Sequence, residues 1–137
     1  MFEILTKYIG VLNDENSGEW IIDRTHKGTM DDPKQFPFVA FSRLTENFIN
    51  DVYKVVEEHP ELELRNYSDI LEKKGLPLDG RHEPEDAKLS DMDLQGSLAL
   101  LVAIIRLDRF CEGTIKEQIE KGTIDRCLKR IKELDVL

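Results

Sequence analysis

An unbroken apolar run of eight residues, Leu98–Ile105, is the feature that most limits how this chain can fold. The run LALLVAII has no polar position, so a helix formed by it has no face that favours water and must be buried on all sides. It is far shorter than the ~20 apolar residues that a bilayer-spanning helix needs. The run therefore predicts a buried central helix, at about residues 91–112, in a protein that does not enter a membrane.

The segments around this run predict its packing partners. A stripe of apolar side chains at helical spacing follows Ser42, which is placed as the N-cap, and a second amphipathic stripe reaches about Leu134. The segments EWIID and FPFVAF are rich in β-branched and aromatic residues, which predicts two short antiparallel strands near residues 19–41. Two strands alone are marginal and must lie on helices. The predicted fold is a mostly helical α+β protein, with residues 1–137 as a single domain.

Residues that typically begin or end helices lie on both sides of the apolar run. Ser90 and Asp93 have the spacing of a capping box at its start. After it, the repeated EGTI and KGTI place Gly113 and Gly122 to end helices in the left-handed conformation. Thr114 and Glu117 then have the spacing of a second capping box. A short helix and a last helix are predicted to follow.

The charge balance narrows the class of partner. The net charge is −9, which repels the nucleic-acid backbone, so direct nucleic-acid binding is not expected. Residues 1–64 alone hold 13 acidic and 6 basic side chains, and this leaves an acidic mimic of nucleic acid as a third functional hypothesis. Two cysteines make no disulfide framework, and the N-terminus lacks the features of a signal peptide. A cytoplasmic location is therefore predicted.

The cluster that follows the apolar run is the first candidate site. Arg106 and Arg109 are three residues apart, so on a helix both guanidinium groups can approach one anion. In the structural interpretation, which is preferred, the buried helix emerges into solvent here and its arginines pair with nearby carboxylates. In the functional one, the arginines bind a ligand, and Asp108 is a candidate base.

The loop between the two predicted strands is the second candidate. Trp20 and His26 are candidate ligand contacts there, and Asp23 is a candidate catalytic base. No metal-binding spacing accompanies them, and Asp beside Gly and Pro is ordinary turn chemistry. Neither a metal nor a cofactor is predicted.

Three segments of the chain resemble a known family. These are the W-x-x-D segment with Trp20 and Asp23, the P-x-Q-x-P-F-V segment from Pro33 to Val39, and R-F-C-E-G from Arg109 to Gly113. Together they resemble a family of small uncharacterised bacterial and phage-associated proteins, classified as a domain of unknown function. The resemblance covers almost the whole chain from Gly18 onwards. It implies a bacterial, cytosolic protein and brings no activity or catalytic residue.

The sequence thus predicts a non-catalytic protein-interaction module. The preferred partner is a second copy of the chain, in a homo-oligomer such as a homodimer. The alternative is a small hydrolase, transferase or binding protein for a phosphorylated or nucleotide-like ligand. In that case Arg106 and Arg109 hold the anion, and Asp23 or Asp108 acts as the base.

Overall fold

The computed structural model describes residues 1–13, 15–22, 27–33, 37–75 and 86–135, with the backbone alone for 86–88. Within these ranges the chain forms helices and one two-stranded antiparallel sheet, which confirms the mostly helical α+β class. The helices are α1 (Glu3–Thr6), α2 (Arg43–Glu58), α3 (Tyr67–Lys73), α4 (Asp86–Asp91), α5 (Leu94–Leu107), α6 (Thr114–Glu120) and α7 (Thr123–Asp135). The strands are β1 (Gly18–Ile21) and β2 (Phe38–Phe41). Two 3₁₀ turns, Pro60–Leu62 and Leu64–Asn66, lie between α2 and α3.

Helix α5 is the centre of the core. Every residue from Gly96 to Ile105 is buried, and α5 contacts α2, α3, α6 and α7. The prediction of a helix enclosed on all sides is therefore confirmed. In the part of the chain that the structure describes, no helix combines the length and apolar character required to cross a membrane.

The bounds of this helix differ from the predicted residues 91–112. Asp93 itself is the N-cap, because its carboxylate accepts a hydrogen bond from the amide of Gly96 at 2.8 Å. Ser90 lies in α4, so the predicted capping box is wrong. At the other end the helix stops at Leu107, and the amides of Phe110 and Cys111 both donate to the carbonyl of Leu107 in consecutive turns. The polar cluster therefore lies on the last helical turn and the turns that follow.

The contact between α5 and α7 includes a thiol. The Sγ of Cys127 donates to the carbonyl oxygen of Ser97 at 3.0 Å, deep between the two helices. Burial raises the pKa of the Cys127 thiol to about 12. Cys111, in contrast, is exposed. Both cysteines are free thiols.

The hairpin of β1 and β2 is attached to the helices at its base. The two strands are antiparallel, as predicted, and in their register Trp20 pairs with Val39 and Ile21 with Phe38. The buried carbonyl of Ser17 accepts hydrogen bonds from the amide of Ser42 and from Oγ1 of Thr45. Ser42 also caps α2 by accepting the amide of Thr45 at 3.2 Å, as predicted.

Gly122 follows the end of α6 as predicted, whereas Gly113 does not end α5, which stops at Leu107, and the second capping box is wrong as well. Gly113 and Gly122 have φ angles of 91° and 79°, in the left-handed region that favours glycine. The hydroxyl of Thr114 donates backwards to the carbonyl of Cys111, so it does not cap α6. The cap comes instead from Asp108, as described below.

Candidate functional site

Arg106 lies on the last turn of α5 and is half-buried. Its guanidinium carbon is 5.9 Å from the centroid of the Tyr53 ring, a cation–π distance. Among the described residues, none forms an ion pair or a hydrogen bond with this guanidinium group. The predicted pairing of Arg106 with a nearby carboxylate is therefore absent from these residues, and its N–H donors have no partner among them.

A cleft opens beside Arg106, between α3 and α5. Its volume is about 170 Å³. Its floor is apolar, and its rim carries two hydroxyl groups and the Arg106 guanidinium. The residues that line it are Tyr67, Ser68, Leu71, Ala103, Arg106, Leu107 and Phe110. We call this space the Arg106 cleft.

Arg109 does not line the Arg106 cleft. It follows the end of α5, in the turns before α6, and is exposed. No ion pair joins it to any residue in the described ranges. The anion-binding role predicted for Arg109 stays a prediction, and of the two arginines Arg106 alone lines this cleft.

Asp108 has a structural role that its sequence position did not reveal. Its carboxylate is 8% exposed and accepts the amide of Ile115 at 3.0 Å, with further hydrogen bonds from the amides of Gly113 and Thr114. These amides start α6, where backbone N–H groups have no helical partner. Burial is the main cause that raises the pKa of Asp108, the amide of Ile115 opposes it, and the Glu112 carboxylate raises it further.

The same turns hold the hairpin against the helices. The carboxylate of Glu112 accepts the amide of Val39 in β2 at 2.8 Å. The ring of Trp20 lies directly on Gly113, where a side-chain Cβ would come within 2.3 Å of a ring carbon. Trp20, a predicted ligand contact, is thus 45% exposed and also a packing residue of the hairpin.

Gly113→Ala is expected to release this contact. The new methyl group meets the Trp20 ring, and the φ of 91° adds backbone strain of about 1–3 kcal/mol. Since Trp20 is the single tryptophan, we expect its fluorescence to shift to the red in the folded protein. Gly10→Ala is the matched control, because Gly10 has a φ of 72° with no atom within 4 Å of a Cβ. An unchanged Trp20 spectrum in Gly113→Ala would contradict the contact.

The other two predicted residues of the hairpin loop, Asp23 and His26, lie outside the described residues. Their roles as base and ligand contact stay predictions, and so does the convergence of Asp23 with the two arginines. The described residues contain no group of three or more His, Cys, Asp or Glu side chains arranged to hold a metal ion.

The structure contains one buried hydrogen-bonded pair that the sequence did not predict. The ammonium group of Lys116 donates to the hydroxyl of Ser17 at 3.2 Å, a pairing that some serine hydrolases use. Ser17 is fully buried, however, and the Lys116 ammonium is also 3.6 Å from the Glu120 carboxylate. No substrate reaches such a hydroxyl, so the pair joins the hairpin base to α6. Their separation of 99 residues left no local signal.

The fold and these contacts define a class: a mostly helical α+β protein with a docked hairpin and a small cleft at the end of its central helix. The chain belongs to a family of unknown function, DUF6508, whose model matches residues 3–135. This confirms the whole-chain resemblance to an uncharacterised family, while bacterial or phage origin stays a prediction. No curated protein and no solved structure matches the chain.

Proposed function

We propose that this protein is a non-catalytic interaction module that self-associates through its hairpin. The observation that supports the proposal is a group of large apolar side chains that the hairpin exposes to solvent. They are Trp20, Ile21, Ile22 and Phe38, with exposures of 45%, 39%, 53% and 42%. We call this group the hairpin surface. Among them, Ile21 and Phe38 are directly opposite each other in the sheet and share one of its faces. Exposed apolar side chains that lie together mark interaction sites more often than scattered single ones do.

The backbone of the hairpin supports the same proposal. In the described part of the chain β1 pairs only with β2, so the other edge of β1 has no strand partner. On β2, in contrast, the amide of Val39 is occupied by Glu112. Antiparallel pairing of β1 with β1 of a second copy is compatible with two-fold symmetry, and it covers Ile21 and its neighbours.

The net charge of −9 opposes association of two copies. Apolar contact at the hairpin surface must therefore exceed a repulsion that salt screens over a Debye length of about 10 Å at 0.1 M. Self-association that rests on apolar contact thus strengthens as salt is added, whereas a dimer held by ion pairs weakens.

The double variant Ile21→Ser/Phe38→Ser is expected to raise the dimer dissociation constant at least about tenfold, the equivalent of 1.4 kcal/mol. Both side chains face solvent in the hairpin, so the fold is expected to survive, as circular dichroism can check. Size-exclusion chromatography with light scattering measures the effect, at about 0.05 and 0.5 M NaCl.

Val11→Ser is the matched control, because Val11 is 43% exposed and lies outside the hairpin surface. It is expected to leave the dissociation constant unchanged. The wild type is measured at up to about 1 mM protein, a concentration at which even very weak dimers are detected. If it stays monomeric at both salt concentrations, the proposal is contradicted.

A further inference from the structure

The Arg106 cleft combines three properties that together describe one kind of ligand. Its floor is formed by the buried side chains of Leu71 and Ala103, which favour an apolar group. At its rim, Arg106 offers N–H donors that no described residue occupies. The ring of Phe110, 86% exposed, stands at its side, where it gains by covering an apolar surface.

The position of the cation is fixed by its surroundings. The Arg106 guanidinium is held over the Tyr53 ring from α2, while its own backbone belongs to the rigid central helix. An arginine that is already oriented loses less side-chain freedom when it binds an anion. Its planar donors match the two oxygens of a carboxylate.

The size of the cleft sets the size of the ligand. A volume of about 170 Å³ is well below the roughly 300–1,000 Å³ of pockets that enclose drug-sized ligands. A whole nucleotide therefore does not fit inside it. One carboxylate on a short apolar or aromatic stem does.

We infer that the Arg106 cleft binds a carboxylate carried on an apolar stem, with Arg106 on the anion, Leu71 and Ala103 under the stem and Phe110 beside it. The carboxylate comes from a free small acid or from the C-terminus of a protein that ends in an apolar residue. This site is separate from the hairpin surface, so the inference does not depend on self-association.

The test is a titration of the ¹⁵N-labelled full chain, followed by NMR, with 3-phenylpropionate as the probe. Saturable shifts are expected at the amides of Ser68, Leu107 and Phe110, with a dissociation constant on the order of 1–10 mM for so few ligand atoms. The amide analogue, 3-phenylpropanamide, is expected to bind at least about fivefold more weakly, since charge-assisted hydrogen bonds are about twice as strong as neutral ones.

The variants separate this site from general attraction to cations. Arg106→Gln is expected to abolish saturation, and Phe110→Ala to weaken binding severalfold without a change in fold, because Phe110 is exposed. Arg109→Gln is the matched control: it removes the same charge three residues away and outside the cleft, and it is expected to bind as the wild type does.

One further ligand, N-acetyl-phenylalanine, identifies the source of the carboxylate. Tighter binding of N-acetyl-phenylalanine than of 3-phenylpropionate supports a protein C-terminus, and the reverse order supports a free acid. The inference is overturned by equal binding of the acid and its amide, by inorganic phosphate that binds as tightly as the carboxylates, or by an equal loss in Arg109→Gln. An absence of saturable shifts at these amides overturns it as well.

Discussion

Leu100→Ala is expected to lower the free energy of unfolding by about 3 kcal/mol, within the 2–5 kcal/mol typical of a large side chain removed from a core. Leu100 is fully buried in α5. The substitution removes its contacts and leaves a cavity that the surrounding helices close only in part. Urea denaturation measures the loss, provided that the slope of the transition stays constant.

The same experiment along α5 tests whether the helix is enclosed on every side. Leu101 and Val102 are each at most 3% exposed, and they follow Leu100 in steps of about 100° around the helix, so the three side chains point in different directions. We expect alanine at Leu101 to cost a similar 2–5 kcal/mol, and alanine at the smaller Val102 to cost roughly 1–3 kcal/mol. On the amphipathic helix α2, Lys54→Ala is the control, with an expected change within about 0.5 kcal/mol. Tolerance of alanine at one of the α5 positions would show an open face.

Asp108→Ala is expected to cost about 2 kcal/mol, because it leaves amides at the start of α6 without an acceptor in a buried place. Asp108→Asn keeps an oxygen acceptor in the same position and should cost less. Asp91→Ala, at an exposed aspartate, is the control with an expected change within about 0.5 kcal/mol. Chemical denaturation of the three variants at neutral pH gives the comparison. A cost for Asp108→Ala as small as the control's would contradict the capping role.

The raised pKa of Asp108 predicts how the stability of the wild type changes with pH relative to that of Asp108→Asn. Since the folded-state pKa of Asp108 lies above its ordinary value of 3.8, the folded chain binds this proton more tightly than the unfolded chain does. The contribution of Asp108 to stability therefore increases as the pH falls through the raised pKa towards 3.8. Asp108→Asn lacks this component. The wild type should thus gain stability relative to Asp108→Asn on acidification, and the opposite trend would contradict the raised pKa.

The sequence predicted those features that depend on neighbouring residues alone. The apolar run specified the enclosed helix, the Ser42 cap began α2, and Gly122 followed the end of α6 as expected. Helix α1, in contrast, has only four residues, and the chain then continues in turns. A single helical turn forms few hydrogen bonds, and these offset only part of the backbone conformational entropy that is lost when the turn forms.

The candidate site depended on contacts between distant segments, and it was predicted only in part. Arg106 was identified, but its cleft exists because α3 packs on α5, and no local pattern encodes that contact. Asp108 looked like a reactive carboxylate, and its use as a cap depends on a chain reversal that brings Ile115 back to it. A single domain and a homo-oligomer stay predictions, and so does a cytoplasmic location.

The two thiols divide the molecule into parts that a chemical reagent can distinguish. Alkylating reagents react with the thiolate, so Cys127, which is buried and has a pKa of about 12, is protected for as long as α5 and α7 remain together. Cys111 is open to attack at all times. Cys127 is therefore the second thiol to be labelled, and its labelling rate measures how often the α5–α7 contact opens transiently. The measurement needs no substitution in the protein.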